Sequence, residues 1–171
     1  GINVSGHNMI KMDVLKTVLE NAGFQNVRTY IQSGNVFVDS EETNGASVGF
    51  TIKQEIFKAL GLEVPVVVIG KEDLKSCLGN NPYLKEKDCD IKKLYVAFIS
   101  KELTNYALND LKISQFKPDE ATIDANRIYI KYAIGAGKTK LDQKYIEKKL
   151  NVTATIRNWN TVSKLLEMYD L

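Results

Sequence analysis

The chain has one histidine, two cysteines, three prolines, one tryptophan and, among its 23 basic residues, only three arginines. Each scarcity excludes something. A single histidine, His7, cannot assemble a multi-histidine metal site, and neither a metal nor another cofactor is expected. Cys77 and Cys89 stand alone, without CxxC spacing. That argues against a disulfide framework or a zinc site and fits a reducing, cytoplasmic compartment. No run of about 18 apolar residues occurs, so no transmembrane helix is expected, and GINVSGHN lacks the charged and apolar regions of a signal peptide. No membrane partner is expected. The formal net charge of +2 is too small to announce a phosphate binder by bulk charge.

What is present is an ordinary globular composition of 171 residues, 44% hydrophobic and 26% charged, enough for one large domain or two small ones. In MDVLKTVLENAG, Met12, Leu15, Val18 and Leu19 share a helical face, and Gly23 suits the left-handed position that ends a helix. Alternation over 27–32 and in NVFVDS, joined by SGN, predicts a hairpin. SVGFTIKQEIFKALG predicts a second helix with Phe50, Ile52, Ile56, Phe57 and Leu60 inward. The apolar run EVPVVVIG then predicts a buried strand, and KEDLKSCLGNNP a short helix. The second half restarts with strand KKLYVAFIS and helix ELTNYALNDLK. A hairpin, EATID to RIYIKYAIG, follows, then helix TKLDQKYIEKKLN, strand VTATIRN and helix TVSKLLEMYDL, for which Asn160 or Thr161 offers a cap.

The two halves repeat one order of elements. They predict an α+β protein of two ferredoxin-like split βαβ units, residues 1–82 and 91–171, joined by a linker at 83–90. Each unit is expected to be a mostly antiparallel sheet with helices on one face. The first unit lacks a strand ahead of its first helix, a strand that is central in such a sheet, and the expectation is that it lies upstream of Gly1.

GINVSGHNMIKM, RTYIQSGNVFVDS and IRNWNTVSKLLEM resemble a bacterial family known as domain of unknown function 1697. The resemblance spans nearly the whole chain. It implies the fold and a hydrophobic strand followed by an arginine ahead of GINV. Ser5 stands where that family commonly has a second glycine. The resemblance implies no activity.

Strand alternation decides which side chains can form a site. If Val27 and Ile31 point at the helices, Arg28, Tyr30 and Gln32 point away; Ile128 and Ile130 inward leave Arg127, Tyr129 and Lys131 outward. Ala154 and Ile156 inward leave Thr153, Thr155 and Arg157 outward. Such open faces, basic and aromatic, suit stacking of bases and pairing with phosphates. The plainer reading is that they pack on one another or on a second subunit, as in a homo-oligomer. The sharpest site expectation is a cleft between the units lined by Arg28, Tyr30, Gln32, Ser33 and Asn35 from the first and Arg157, Asn158, Trp159 and Asn160 from the second. The plainer role for the two asparagines is capping the last helix. IGAGKTK, between a strand and a helix, suggests phosphate contact by Lys138, Thr139 or Lys140. Neither a P-loop nor GxGxxG is matched there, since Tyr132 and Lys140 occupy required glycine positions, and a tight turn explains the glycines equally well.

These features favour a non-catalytic module for an anionic ligand, with a nucleotide or single-stranded nucleic acid as partner. One alternative is a cofactor-independent enzyme on a small phosphorylated or carboxylated metabolite, with His7 as acid or base and Ser5 or Ser33 as nucleophile; no GxSxG elbow supports it. A protein-interaction or oligomerisation module is the third reading.

Overall fold

Apolar residues at three- and four-residue spacing wind Met12–Asn21 into α1, whose Leu15 and Leu19 are buried. The computed structural model describes residues 2–3, 8–103 and 106–169. Among them the chain forms six α-helices and two antiparallel sheets. It divides into two compact units, Gly1–Val68 and Ile69–Leu171.

In the first unit α1 is followed by β1 (Gln25–Tyr30), β2 (Asn35–Asp39) and α2 (Gly45–Leu60). Asn44 starts α2 by accepting from the amides of Ala46 and Ser47 at 2.9 and 3.1 Å, and Gly61, with φ +68°, ends it. Leu15, Leu19, Val27, Val48, Ile52, Ile56 and Val64 form the core with Ile2 and Ile10. Phe50 and Phe57 do not join it; they are 64% and 49% exposed. At about 100° per residue one stripe can hold Val48, Ile52 and Ile56, and it turns Phe50 and Phe57 to another face. The predicted strand EVPVVVIG also differs. Residues 62–69 run without a turn or bend, but no strand pairs with them among the described residues.

The second unit begins with α3 (Lys71–Asn80), then β3 (Leu94–Ile99), α4 (Ala107–Leu111), β4 (Glu120–Asp124) and β5 (Arg127–Lys131). It closes with α5 (Gln143–Leu150), β6 (Ala154–Asn158) and α6 (Trp159–Tyr169). The strands lie in the order β4-β5-β3-β6, each antiparallel to its neighbour. Ala97, Ile99, Ile128, Ile130 and Ala154 meet Leu111 of α4 and Ile146 of α5 in one core. The opposite face was expected to be open, with helices on one side only. Instead α3 crosses it: the Tyr129 hydroxyl donates to the Cys77 carbonyl at 3.1 Å, and Arg127 Nη1 donates to the Asp73 carbonyl at 2.9 Å. Because α3 buries Leu74 and Cys77 there and lies against α6, the division between units falls at 68/69, ahead of α3, rather than across 83–90.

One position controls how the first hairpin closes. Gly34 has φ +80°, and a Cβ built on it would stand 2.5 Å from Ile2 Cγ1. Left-handed backbone and a close approach both require glycine there. Gly34→Ala is expected to cost about 1–3 kcal/mol, seen as a lower urea midpoint. Gly79→Ala in α3, where nothing lies within 4 Å, is expected to be neutral or to stabilise by up to about 1 kcal/mol through helix propensity.

Candidate functional site

The hairpin of the first unit places its polar residues through strand register. Arg28 pairs with Phe37, Thr29 with Val36 and Tyr30 with Asn35. Since Val36 and Val38 pack against the core, Arg28, Tyr30 and Phe37 share the face turned away from it. The Arg28 guanidinium lies 5.0 Å from the Phe37 ring centroid. Stacked in this way, a guanidinium keeps its N–H groups directed along its own plane, toward whatever lies at its edge.

The turn itself is structural. Ile31 was expected to point at the helices, but its φ of +51° ends the strand at Tyr30 and leaves its side chain 46% exposed. Asn35 is buried, and its Nδ2 donates to the Tyr30 carbonyl at 3.0 Å and to Ser33 Oγ at 3.5 Å. Asn3 ties the preceding segment to this turn: its Nδ2 donates to the Gln32 and Ile10 carbonyls, both at 2.8 Å, and its Oδ1 accepts from the Ile10 amide. The Asn3 amide also bonds the Asn8 carbonyl at 3.2 Å. Ser33 and Asn35 therefore shape the loop, while the Gln32 side chain is exposed. His7 and Ser5, on which the enzyme alternative depended, lie outside the described residues.

In the second unit the expected residues separate. Asn158 Oδ1 accepts from the Thr161 amide at 2.8 Å and caps α6, so the cap falls two residues earlier than Asn160. Trp159, the first residue of α6, is only 6% exposed and offers no surface for stacking. Asn160 is exposed. Arg157 is partly buried, with Nη1 donating to Thr155 Oγ1 at 2.6 Å and to the Ile156 carbonyl at 3.0 Å. Burial pushes its guanidinium down to about 10, which leaves it charged at neutral pH.

IGAGKTK does not meet a helix N-terminus. Gly135, with φ +114°, leads into a single 3₁₀ turn at Ala136–Lys138, and Thr139 Oγ1 accepts from the Leu141 amide at 3.0 Å. The start of α5 lies beyond it and is held by Asp142, which accepts from the Tyr145 amide at 2.8 Å. A carboxylate of the chain itself thus takes the place expected for phosphate, and Lys138 and Lys140 are exposed on the loop.

The residues expected on an open face of the second sheet share one face, as alternation requires, but they are covered. Arg127 is 5% exposed and Tyr129 fully buried. Tyr129 Oη also donates to Asp124 Oδ2 at 3.3 Å, and that oxygen stands 3.7 Å from Arg127 Nε. Lys131 pairs with Glu86 at 2.6 Å and Glu120 at 2.9 Å, which hold its ammonium well above the usual range. This Asp124–Arg127–Tyr129 cluster beneath α3 was not anticipated. Its signal was the cross-strand pairing of Asp124 with Arg127 on either side of the DAN turn.

A hollow of about 550 Å³ in the first unit is lined by Gly23, Phe24, Gln25, Asp39, Glu41 and Glu42, among others. Three carboxylates make it unsuited to an anion. Among the described residues no group of three His, Cys, Asp or Glu is arranged to hold a metal ion, and no helix is long and apolar enough to cross a membrane.

A family model described as "Protein of unknown function (DUF1697)" matches residues 1–129, a span that includes the hairpin and stops before RNWNT. No curated protein matches the chain. Among solved structures, the chain is similar to the conserved bacterial protein SP0830 from Streptococcus pneumoniae, at 23% identity with a TM-score of 0.71. The likeness covers 100% of this chain and 94% of that one, and at this identity it speaks for the fold alone.

The buried thiol gives the cluster under α3 a measurable signature. Burial pushes Cys77 from 9.0 up to about 11, against the lowering influence of Arg127. The folded chain keeps this proton to higher pH than the unfolded chain does, so the thiol's contribution to stability is complete below pH 9 and is lost on the way to 11. Cys77→Ala removes this dependence. In urea titrations at several pH values, the stability of the parent relative to Cys77→Ala is expected to fall by on the order of 2 kcal/mol across that window.

Proposed function

The chain belongs to the family "Protein of unknown function (DUF1697)", whose description names no activity, and from its site we propose that it is a non-catalytic module binding an anionic ligand, a nucleotide or single-stranded nucleic acid. The carrying observation is the Arg28 guanidinium over the Phe37 ring, beside Tyr30, on the hairpin face turned from the core. A cation oriented by an aromatic ring, next to a second aromatic ring, is the combination that pairs a phosphate and stacks a base. Exposed Lys138 and Lys140 and partly buried Arg157 are secondary candidates for phosphate contact; buried Trp159 is left out. The two thiols, which form no disulfide, support a cytoplasmic home. For the second unit, the order β4-β5-β3-β6 with antiparallel neighbours supports the ferredoxin-like reading.

A second reading, a protein-interaction module, is favoured by Phe50 and Phe57, which stand seven residues apart on one exposed face of α2.

Fluorescence anisotropy with labelled oligo(dT) and a thermal-shift panel of nucleotides test the first reading. Arg28→Ala is expected to weaken binding at least about tenfold, and oligonucleotide affinity to fall steeply between about 50 and 200 mM salt. Affinity unchanged by Arg28→Ala, or no binding by either probe, overturns it.

A further inference from the structure

The lysines of α5 break a rule that the other long helices keep. On α1, α2, α3 and α6, Lys16, Lys58, Lys75 and Lys164 each lie 2.8–3.7 Å from a glutamate three or four residues away. Residues 138–149 carry Lys138, Lys140, Lys144, Lys148 and Lys149, all exposed, and among the described residues none of these five is in an ion pair. The two carboxylates of the segment are engaged by neutral donors. Asp142 accepts from the Tyr145 amide at 2.8 Å, and Glu147 Oε1 accepts from the Ala154 amide at 2.9 Å and from Gln143 Nε2 at 3.4 Å. Five lysines against two carboxylates leave this short segment at +3, more than the +2 of the whole chain. Lys144 and Lys148 stand one turn apart, about 6 Å along the axis, and like charges at that spacing weaken a helix.

The geometry of α5 decides what can use this charge. Ile146 is fully buried and packs with Leu141 and Leu150 in the core of the unit. At about 100° per residue Lys144, Tyr145, Lys148 and Lys149 fall on the other side. Tyr145 is anchored there, its hydroxyl donating to the Leu111 carbonyl at 2.9 Å and its ring edge-on to Phe116, 4.8 Å between centroids. The Lys149 ammonium lies 5.7 Å from the Tyr145 ring centroid. With no aliphatic side chain on it, this outer face has nothing to insert into a lipid surface. A lone phosphate cannot meet ammonium groups spread over more than a turn, whereas a repeated anion can. Lysine, a point charge on a flexible stem, suits contact with a phosphate backbone whatever the base sequence.

We infer that the outer face of α5 holds the phosphodiester backbone of a nucleic-acid strand, with Lys144, Lys148 and Lys149 and the preceding Lys138 and Lys140 as its phosphate contacts. This rests on the binding reading for the class of partner and narrows it from a nucleotide or a strand to the strand.

The experiment follows the anisotropy of labelled oligo(dT) from about 50 to 200 mM salt. It compares the parent, Lys144→Gln/Lys148→Gln, and a control that loses the same charge elsewhere, Lys53→Gln/Lys101→Gln. Each lost contact with a single strand lowers the slope of log K against log salt by about 0.7. The α5 variant is therefore expected to lose about 1.4 in slope and at least about tenfold in affinity at the lowest salt, while the control matches the parent. Glutamine keeps the helix propensity and removes the repulsion, so the urea midpoint should not fall. Lys138→Gln/Lys140→Gln, ahead of the helix, repeats the slope test without touching it. An unchanged slope in both lysine variants, an equal loss in the control, or binding of the parent to phosphatidylserine vesicles but not to oligo(dT) overturns the inference. A reduced slope beside an Arg28→Ala affinity equal to the parent's would overturn the hairpin reading and keep α5. Nucleotide binding lost with Arg28→Ala, beside an unchanged slope in the lysine variants, would do the reverse.

Discussion

The Arg127 guanidinium against the Asp73 carbonyl of α3 is the contact on which the organisation of the second unit turns. A charge taken from water must be compensated inside the protein, and here a main-chain carbonyl and the Asp124 carboxylate supply the compensation. Tyr129 follows the same rule through Cys77 and Asp124. Once α3 covers this face, residues that alternation directs away from one core become the polar layer of a second interface. They serve helix docking and are withdrawn from any ligand. The buried thiol and phenol are held in their neutral forms by the same desolvation.

The first unit resolves a similar alternation differently. There Val36 and Val38 face the core, and on the other face the arginine stacks on its cross-strand neighbour. Its turn is fixed from the side by Asn3, whose single amide group joins Gln32 to Ile10, and from beneath by Ile2 against Gly34. A hairpin whose turn is held in this way keeps Arg28 of β1 in one geometry without the ordering cost that a free loop would carry on binding.

Much of this was legible in the sequence because it follows from period and local chemistry. The alternation of RTY, RIYIK and TATIR correctly groups the residues that share each strand face, though not Ile31 and Gln32, which lie past the strand end, and the spacing of Met12, Leu15 and Leu19 locates α1. What escaped depended on contacts distant in sequence. That α3 belongs to the following sheet cannot be read from KEDLKSCLGN, whose two buried residues, Leu74 and Cys77, do not name their partner. Phe50 and Phe57 looked inward because a count of apolar residues ignores that Val48, Ile52 and Ile56 already fill one stripe. Trp159 looks available when the last helix is started at Thr161, whereas Asn158 caps that helix and Trp159 is its first residue. In IGAGKTK the glycines are visible, but the residue that caps the helix, Asp142, lies beyond the motif.

The scarcity of arginine acquires its meaning only when the three are compared. Arg127 is consumed by structure, bonded to a carbonyl under a helix. Arg157 is drawn into its own strand by Thr155 and Ile156, and its lowered proton affinity records a charge that the fold tolerates at some cost. Arg28 lies on a ring at the side of a hairpin, where stacking orients the group. Lysine would suffice for a solvated surface charge, but it lacks the flat face that this position uses. Of the three, Arg127 is buried and Arg28 and Arg157 are each half-buried. The helix that lies over Arg127 withdraws it, and the proposal of a ligand therefore rests on the hairpin of the first unit rather than on the face that α3 covers.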